Sequence, residues 1–268
     1  MSLRINTNTE AFNAHRQVSG VQGKLAQSME RLSSGYRINR ASDDVAGLAI
    51  SEKLRGQIKG LAQAQRNVGD AVSLVQTAEG VLEQVHNMLG RIRELAVQHG
   101  NGALSASDKQ SIQDEVNQLG SDIERIGSQT EFNSIKLLST SATVTFQTGA
   151  MDGQTISVAP ISLASSVPAN VYALSAAGTD LAEIDGAITA VSDQRAKFGA
   201  VQNRLEYANN DLATYQENLM AAESRIRDVD MAAEMAELTK LQVLQHAGTA
   251  MLAQANQLPQ NVLSLLKG

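Results

Sequence analysis

The amino-acid sequence predicts a mainly α protein: a long antiparallel coiled-coil helical bundle with paired N- and C-terminal helices and a small β-hairpin region. Three observations carry this expectation. Leu54, Leu61, Val68, Val75, Leu82, Leu89 and Ala96 recur at every seventh position. In the second half Ile184, Val191, Phe198, Leu205, Leu212, Leu219 and Ile226 do the same. Between the two series, Val144, Phe146 and Thr148 alternate, as do Ile156 and Val158, around a Gly149 to Gly153 turn. Recurrence at seven residues is the period of a helix lying along a partner helix, and alternation at two is the period of a strand.

The composition agrees. The chain has 268 residues, 43% of them hydrophobic, which suits one or two folded domains. With no Trp, four Phe and four Tyr, its apolar surface is mostly Ala, Leu, Val and Ile, residues that suit narrow helix seams. The absence of Cys removes disulfides, thiolate nucleophiles and Cys-ligated metals. The net charge of -6 conceals a basic start, where Arg4, Arg16, Lys24, Arg31, Arg37 and Arg40 face only Glu10 and Glu30. Those bases are spread singly through a helical pattern without interleaved aromatics, which argues against nucleic acid. The first residues have no apolar run of the Sec-signal kind, and no apolar stretch is long enough to span a membrane.

Taken in order, a first helix is expected from Val18, where Val18, Val21, Leu25 and Leu32 keep heptad spacing interrupted by Ser28. Gly35 breaks it, and Ser42, Asp43 and Asp44 offer N-cap oxygens for the next helix. That helix carries the first seam. Ala64, Ala71, Ala78, Val85 and Ile92 fill its second core position, with Gln57 the one polar member. At 1.5 Å per residue the seam is about 65 Å long and needs an equally long partner. Gly56, Gly60, Gly69, Gly80 and Gly90 lie off it, each costing about 1 kcal/mol of helix propensity. They also suit close approach by neighbouring helices.

Gly100-Asn101-Gly102 marks a reversal, and Ser105 to Asp108 restarts a helix whose apolar positions are Ile112, Val116, Leu119, Ile123 and Ile126, ending at Gly127. The β-hairpin region spans about 140–178, with Pro160 and Pro168 after the hairpin. The second seam follows, its partner positions filled by Ala187, Val201, Ala208, Tyr215 and Ala222. The last helix places Leu241, Leu244, Gly248, Met251, Ala255, Leu258, Val262 and Leu265 on one row, with Pro259 bending or interrupting it. Its intramolecular partner is the weak first helix. Two marginal helices of this kind order on assembly, when neighbouring copies supply contacts.

No catalytic constellation emerges. His15, His86, His99 and His246 lack metal-ligand spacing, and no cofactor motif, Walker loop or nucleophile elbow occurs. Asp43-Asp44 and Asp228-Val229-Asp230 adjoin helix boundaries, where capping explains them. Neither an enzyme nor a metal or cofactor site is expected.

The segment from Leu32 to Ile50, LSSGYRINRASDDVAGLAI, closely resembles the N-terminal signature of bacterial flagellins. Asn67 to Leu82, Arg195 to Glu206, Glu217 to Ala236 and Ala247 to Leu266 resemble further blocks of that family, in the family's order. The resemblance implies a short-form flagellin, a structural subunit that self-assembles into the extracellular bacterial flagellar filament used for swimming. It further implies an inner-tube domain of residues 1–44 with 228–268 and an outer-tube domain of 45–227. By the same resemblance the chain is exported through the flagellar type III apparatus without a cleaved signal peptide. Its implied partners are copies of itself, an export chaperone on the C-terminal helix, and filament cap and hook-junction proteins. The polymerisation tail would present Leu244, Met251, Leu258, Val262 and Leu265. Arg91 to Gln98 resembles the segment bound by the animal Toll-like receptor that senses flagellin, placing receptor contacts at Arg91, Leu95, Gln98 and Glu115, with Leu119 where activating members often carry arginine; in the filament the same surface would meet neighbouring subunits, with Arg91 and Gln98 facing them and Leu95 packing there. The alternatives are a hook-filament junction protein, which shares the arms, and a cytosolic coiled-coil adaptor.

Overall fold

The computed structural model describes residues 8–139, 143–159, 162–174 and 180–267, and of 169, 170, 180 and 258–267 the backbone alone. The chain forms two compact units, Met1–Gly56 with Asn218–Gly268, and Gln57–Glu217. The boundaries of these units fall within two long helices, α2 (Val45–His99) and α5 (Asp180–Arg227).

In the first unit, helix α1 (Thr9–Ser34) begins well before Val18. The reason is Asn8, whose Oδ1 accepts the N–H of Ala11 at 3.0 Å and so caps the first turn. Gly35 ends the helix at φ +75°, a conformation that glycine adopts without strain, and its N–H reaches Arg31 O at 2.9 Å. The connector is then pinned to the end of α5. Val229 N donates to Gly35 O at 3.0 Å, Arg37 N donates to Arg227 O at 2.6 Å, and Tyr36 pairs with Asp228 as an isolated antiparallel bridge. The Arg227 guanidinium lies 4.9 Å from the centroid of the Tyr36 ring and pairs with Glu52 at 2.6 Å. Within the connector, Ile38 is fully buried.

The capping expectation resolves residue by residue. Asp44 Oδ1 accepts Gly47 N at 2.8 Å and starts α2, whereas Asp43 Oδ2 accepts Asn39 N and Arg40 N and closes the turn before it. Asp230 does the same for helix α6 (Met231–Lys267), accepting the N–H groups of Ala232 and Ala233. Helix α6 runs through Pro259 to Lys267, where the sequence had suggested a bend or interruption.

The second unit is built on the bodies of α2 and α5. They run antiparallel, since Arg93 pairs with Asp185 at 2.6 Å and Glu79 with Arg195 at 3.9 Å. Both expected seams are buried here: Leu61, Val68, Val75, Leu82 and Leu89 on α2, and Ile184, Val191, Phe198, Leu205 and Leu212 on α5. Each such side chain contributes roughly 1.5–3 kcal/mol of hydrophobic free energy. The second core row of α5 is weaker than expected, with Val201 and Ala208 half-buried and Tyr215 45% exposed. A third row on α2, Leu74, Val81, Met88 and Leu95, was not expected; its two ends are buried and its middle half-buried.

Helix α3 (Ala106–Gln129) opens on a full capping box between Ser105 and Asp108 and continues past Gly127 to Gln129. Gly127 does not end it, because that glycine makes room for Leu163 of the short helix α4 (Leu163–Ser166). One heptad earlier Gly120 meets Tyr172, at the end of a 3-10 turn. Gln113 fastens the segment, its Nε2 donating to Tyr172 O at 2.7 Å and its Oε1 accepting Leu174 N at 3.0 Å.

The expected hairpin is present, with β3 (Val144–Gln147) antiparallel to β4 (Thr155–Val158) and Gly153 at φ +81° in the turn. It docks on α2, where Asn67 Nδ2 donates to Gln147 O at 3.1 Å and Ala150 packs on Gly60. Gln194, buried at a core position of α5, donates to Ala159 O at 3.4 Å just beyond β4. A smaller hairpin, β1 (Glu131–Phe132) with β2 (Ile135–Lys136), escaped the sequence reading because its turn uses Asn133 and Ser134 at positive φ instead of an Asn-Gly pair.

Candidate assembly surface

The terminal helices α1 and α6 pack together, in agreement with the sequence expectation. Their order is antiparallel, because Asn8 Nδ2 donates to Ala255 O at 2.8 Å and Ser28 Oγ donates to Glu234 Oε1 at 2.6 Å. Between these ends Val18 lies over Gly248 so closely that a Cβ there would stand 2.8 Å from Val18 Cγ2. Buried Ser28 explains the interruption in the first helix's heptad: its hydroxyl is satisfied by Glu234, which also pairs with Arg31 at 3.8 Å.

The face that α6 turns toward α1 differs from the expected row. Leu238, Leu241 and Ala255 are buried and Glu234, Gln245, Gly248 and Leu252 half-buried, whereas Leu244 is 45% and Met251 68% exposed. Leu244 and Met251 therefore stand outside the intramolecular seam. The side chains of Leu258, Val262 and Leu265 lie outside the described residues. With Leu244 and Met251 go Met231, Met235 and Val243 on α6, Phe12 and Met29 on α1, Val45 and Ile50 on α2, and Met220 on α5, all at least 45% exposed. A groove of about 380 Å³ beside Phe12 is lined by Asn8, Ala11, His15, Leu252 and Asn256. Among the described residues the second unit, though larger, exposes only Val97, Ile135, Met151, Tyr207 and Tyr215 to a comparable degree.

The four residues expected at the receptor or subunit contact lie in the second unit and are not equivalent. Arg91, Gln98 and Glu115 are exposed. Arg91 Nη2 pairs with Glu115 Oε1 at 3.1 Å and its Nη1 with Glu94 Oε2 at 3.0 Å; the bonds to Glu94 and Glu115 hold the guanidinium above its ordinary pKa. Leu95 is 2% exposed and belongs to the third core row, beneath the exposed Arg91 and Gln98. Its position between exposed Arg91 and Gln98 had concealed this, because α2 is covered on more sides than a two-position heptad describes. Leu119 is half-buried on α3.

Carboxylates with displaced pKa values do structural work. The Arg93 guanidinium holds Asp185 below the usual range, Arg227 does so for Glu52, and capping N–H groups do so for Asp43. Burial, with Glu124 nearby, pushes the Tyr172 phenol up to about 12. Among the described residues no cluster of three His, Asp or Glu side chains is placed to hold a metal ion, and no helix is long and apolar enough to cross a membrane.

Paired terminal helices that leave large apolar side chains exposed, carried by a chain whose second unit buries its own seams, define a long-helix bundle protein. Residues 5–143 match the family model for the bacterial flagellin N-terminal helical region and residues 181–266 that for the C-terminal helical region. The chain is 47% identical to the flagellin of Bacillus subtilis, over 99% of this chain and all of that one. It is 48% identical to the flagellin of Halalkalibacterium halodurans and 44% identical to the flagellar filament 33 kDa core protein of Treponema phagedenis, each over 98% of this chain and 99% of the relative. Among solved structures, Bacillus cereus flagellin superposes with a TM-score of 0.51 at 32% identity, covering 59% of this chain and 94% of that one. A flagellar hook-associated protein from Vibrio parahaemolyticus shares the fold alone, with a TM-score of 0.57 at 15% identity, covering 69% of this chain and all of that one. The chain belongs to the bacterial flagellin family. It is a structural subunit of the flagellar filament, outside the cell, and not an enzyme; the junction-protein and adaptor alternatives are not favoured.

Proposed function

We propose that the first unit is the polymerising unit, and that Phe12, Met29, Val243, Leu244 and Met251 pack on neighbouring copies in the filament. The observation that supports this is the concentration of large exposed apolar side chains there, on a narrow helix pair that cannot cover them itself. In this reading residues 1–44 and 228–268 build the inner tube, and 45–227 the tube around it. Export without a cleaved signal peptide, a chaperone covering the exposed face of α6, and cap and hook-junction partners follow from the family. The test is elongation of short filament seeds by purified protein. Deleting Leu241 to Gly268 should abolish elongation while circular dichroism retains the helical signal of the second unit; a truncated chain that still sedimented as filaments would overturn the assignment.

The second proposed contact is the receptor surface of Arg91, Gln98 and Glu115, with Leu95 beneath as its support. The Arg91–Glu115 pair joins α2 to α3 and presents its charges outward, as a recognition surface requires. Binding of a flagellin-sensing receptor ectodomain to the unpolymerised chain should weaken in Arg91→Ala. Unchanged binding would remove this surface from the proposal.

A further inference from the structure

Proline in a helix interior removes one N–H and leaves the carbonyl four residues earlier without its helical donor. In α6 that proline is Pro259 and the carbonyl is that of Ala255. Ala255 is a buried residue facing α1, so water is a poor substitute. The donor it receives is the side-chain Nδ2 of Asn8, at 2.8 Å, from 247 residues away in sequence. The same amide turns its Oδ1 to Ala11 N at 3.0 Å and caps α1. One side chain thus satisfies the free N–H at the start of one helix and the free C=O inside the other. Asparagine is the short cap residue that can both accept and donate in this way; Asp lacks the donor, and Ser lacks the reach.

We infer that Asn8 is a register latch, a positioning residue for assembly that fixes α1 against α6 by occupying the carbonyl Pro259 vacates. A slip of α1 by one turn would move the amide about 5.4 Å along α6, opposite carbonyls already bonded within the helix. The latch therefore sets which residues of the two helices share an outer face, including Phe12 and Met251. Pro259 in turn has a use: it frees one acceptor at one height on α6.

This inference rests on the filament reading, and its test separates the two. Four full-length chains are compared in seeded elongation: wild type, Asn8→Ser, Pro259→Ala and the double variant. Serine keeps the cap without adding charge but cannot span to α6, while alanine at 259 returns the backbone donor to Ala255. The critical concentration of Asn8→Ser should rise about tenfold over wild type, and the double variant should lie within about twofold of Pro259→Ala. An unchanged critical concentration for Asn8→Ser overturns the latch, and so does an equal penalty with and without Pro259. Failure of the wild-type chain to extend seeds counts instead against the filament reading. The latch is then decided by amide exchange over Leu252 to Gln257 in the same four chains, where only Asn8→Ser should lose protection; equal protection in all four overturns it.

Discussion

The ring of Tyr172 lies directly over the Cα of Gly120, so that a Cβ built at position 120 would meet ring carbons at 2.7–3.0 Å. Seven residues on, a Cβ at Gly127 would stand 3.1 Å from Leu163 Cδ2. Two glycines one heptad apart thus form a groove on α3 that receives the segment following the β3–β4 hairpin. Gly120→Ala gains about 1 kcal/mol in helix propensity but must displace an aromatic ring fastened by Gln113, an overpacking cost of about 1–3 kcal/mol. The net effect should be destabilising, with a lower urea midpoint for the free chain. Gly120→Ala should cost less in a Tyr172→Ala background than in the wild type, the coupling expected of a direct contact.

Glycines 69, 80 and 90 of α2 are the contrast, since a Cβ at any of them meets nothing within 4 Å in the single chain. Each change to alanine should raise the stability of the free subunit by up to about 1 kcal/mol. Seeded elongation of the triple variant should nonetheless slow, because these open positions suit close approach by neighbouring helices. A stabilised variant that elongates like wild type would take the glycines out of the subunit contact.

Val18 and Gly248 set the closest approach of α1 and α6. Gly248→Ala should weaken assembly, since β-branched Val18 has few rotamers with which to yield to the new methyl group. Val18→Ala alone leaves a void costing about 1–3 kcal/mol. The two together should be milder than their sum, a coupling that a double-mutant cycle on filament melting temperature would measure.

Acid should loosen both units by one mechanism. Asp43 and Glu52 in the first unit and Asp108 and Asp185 in the second sit below their ordinary values of 3.8 and 4.5. The causes are, respectively, the Arg40 and Asn39 amides, the Arg227 guanidinium, the Ser105 hydroxyl and amide, and the Arg93 guanidinium. A depressed folded pKa supplies stability in full above the ordinary value and loses it as pH falls through the folded value. Unfolding curves should therefore be flat at neutral pH and decline below about pH 4. The decline should be shallower for Asp185→Asn, which has already lost its contribution.

Leu95→Ala should cost about 2–5 kcal/mol of stability in the second unit because it empties a buried site. Arg91→Ala should leave the unfolding midpoint close to that of wild type, because its ion pairs are exposed. Receptor binding measured beside unfolding for both variants separates a lost contact from a disturbed support.

What the sequence by itself determined was the period of each element and therefore its kind. Sevenfold recurrence specified α2 and α5 and their antiparallel embrace, alternation specified β3 and β4, and the blocks around Leu32–Ile50 and Ala247–Leu266 specified the family. What only the tertiary structure decided was which side of a helix is used. On α6 apolar residues occupy more than one face, so periodicity alone selected Leu244 and Met251, while contact with α1 selected Leu238, Gln245 and Leu252 and left the others outside. On α2 the ends of a third row, Leu74 and Leu95, are buried because the helix is covered on more sides than one partner explains. Hydrophobic pattern reports how a helix differs from one side to another; it does not report how many neighbours arrive. Asn8 carries no such pattern, and its bond to Ala255 exists because antiparallel packing brings the start of α1 beside the later turns of α6.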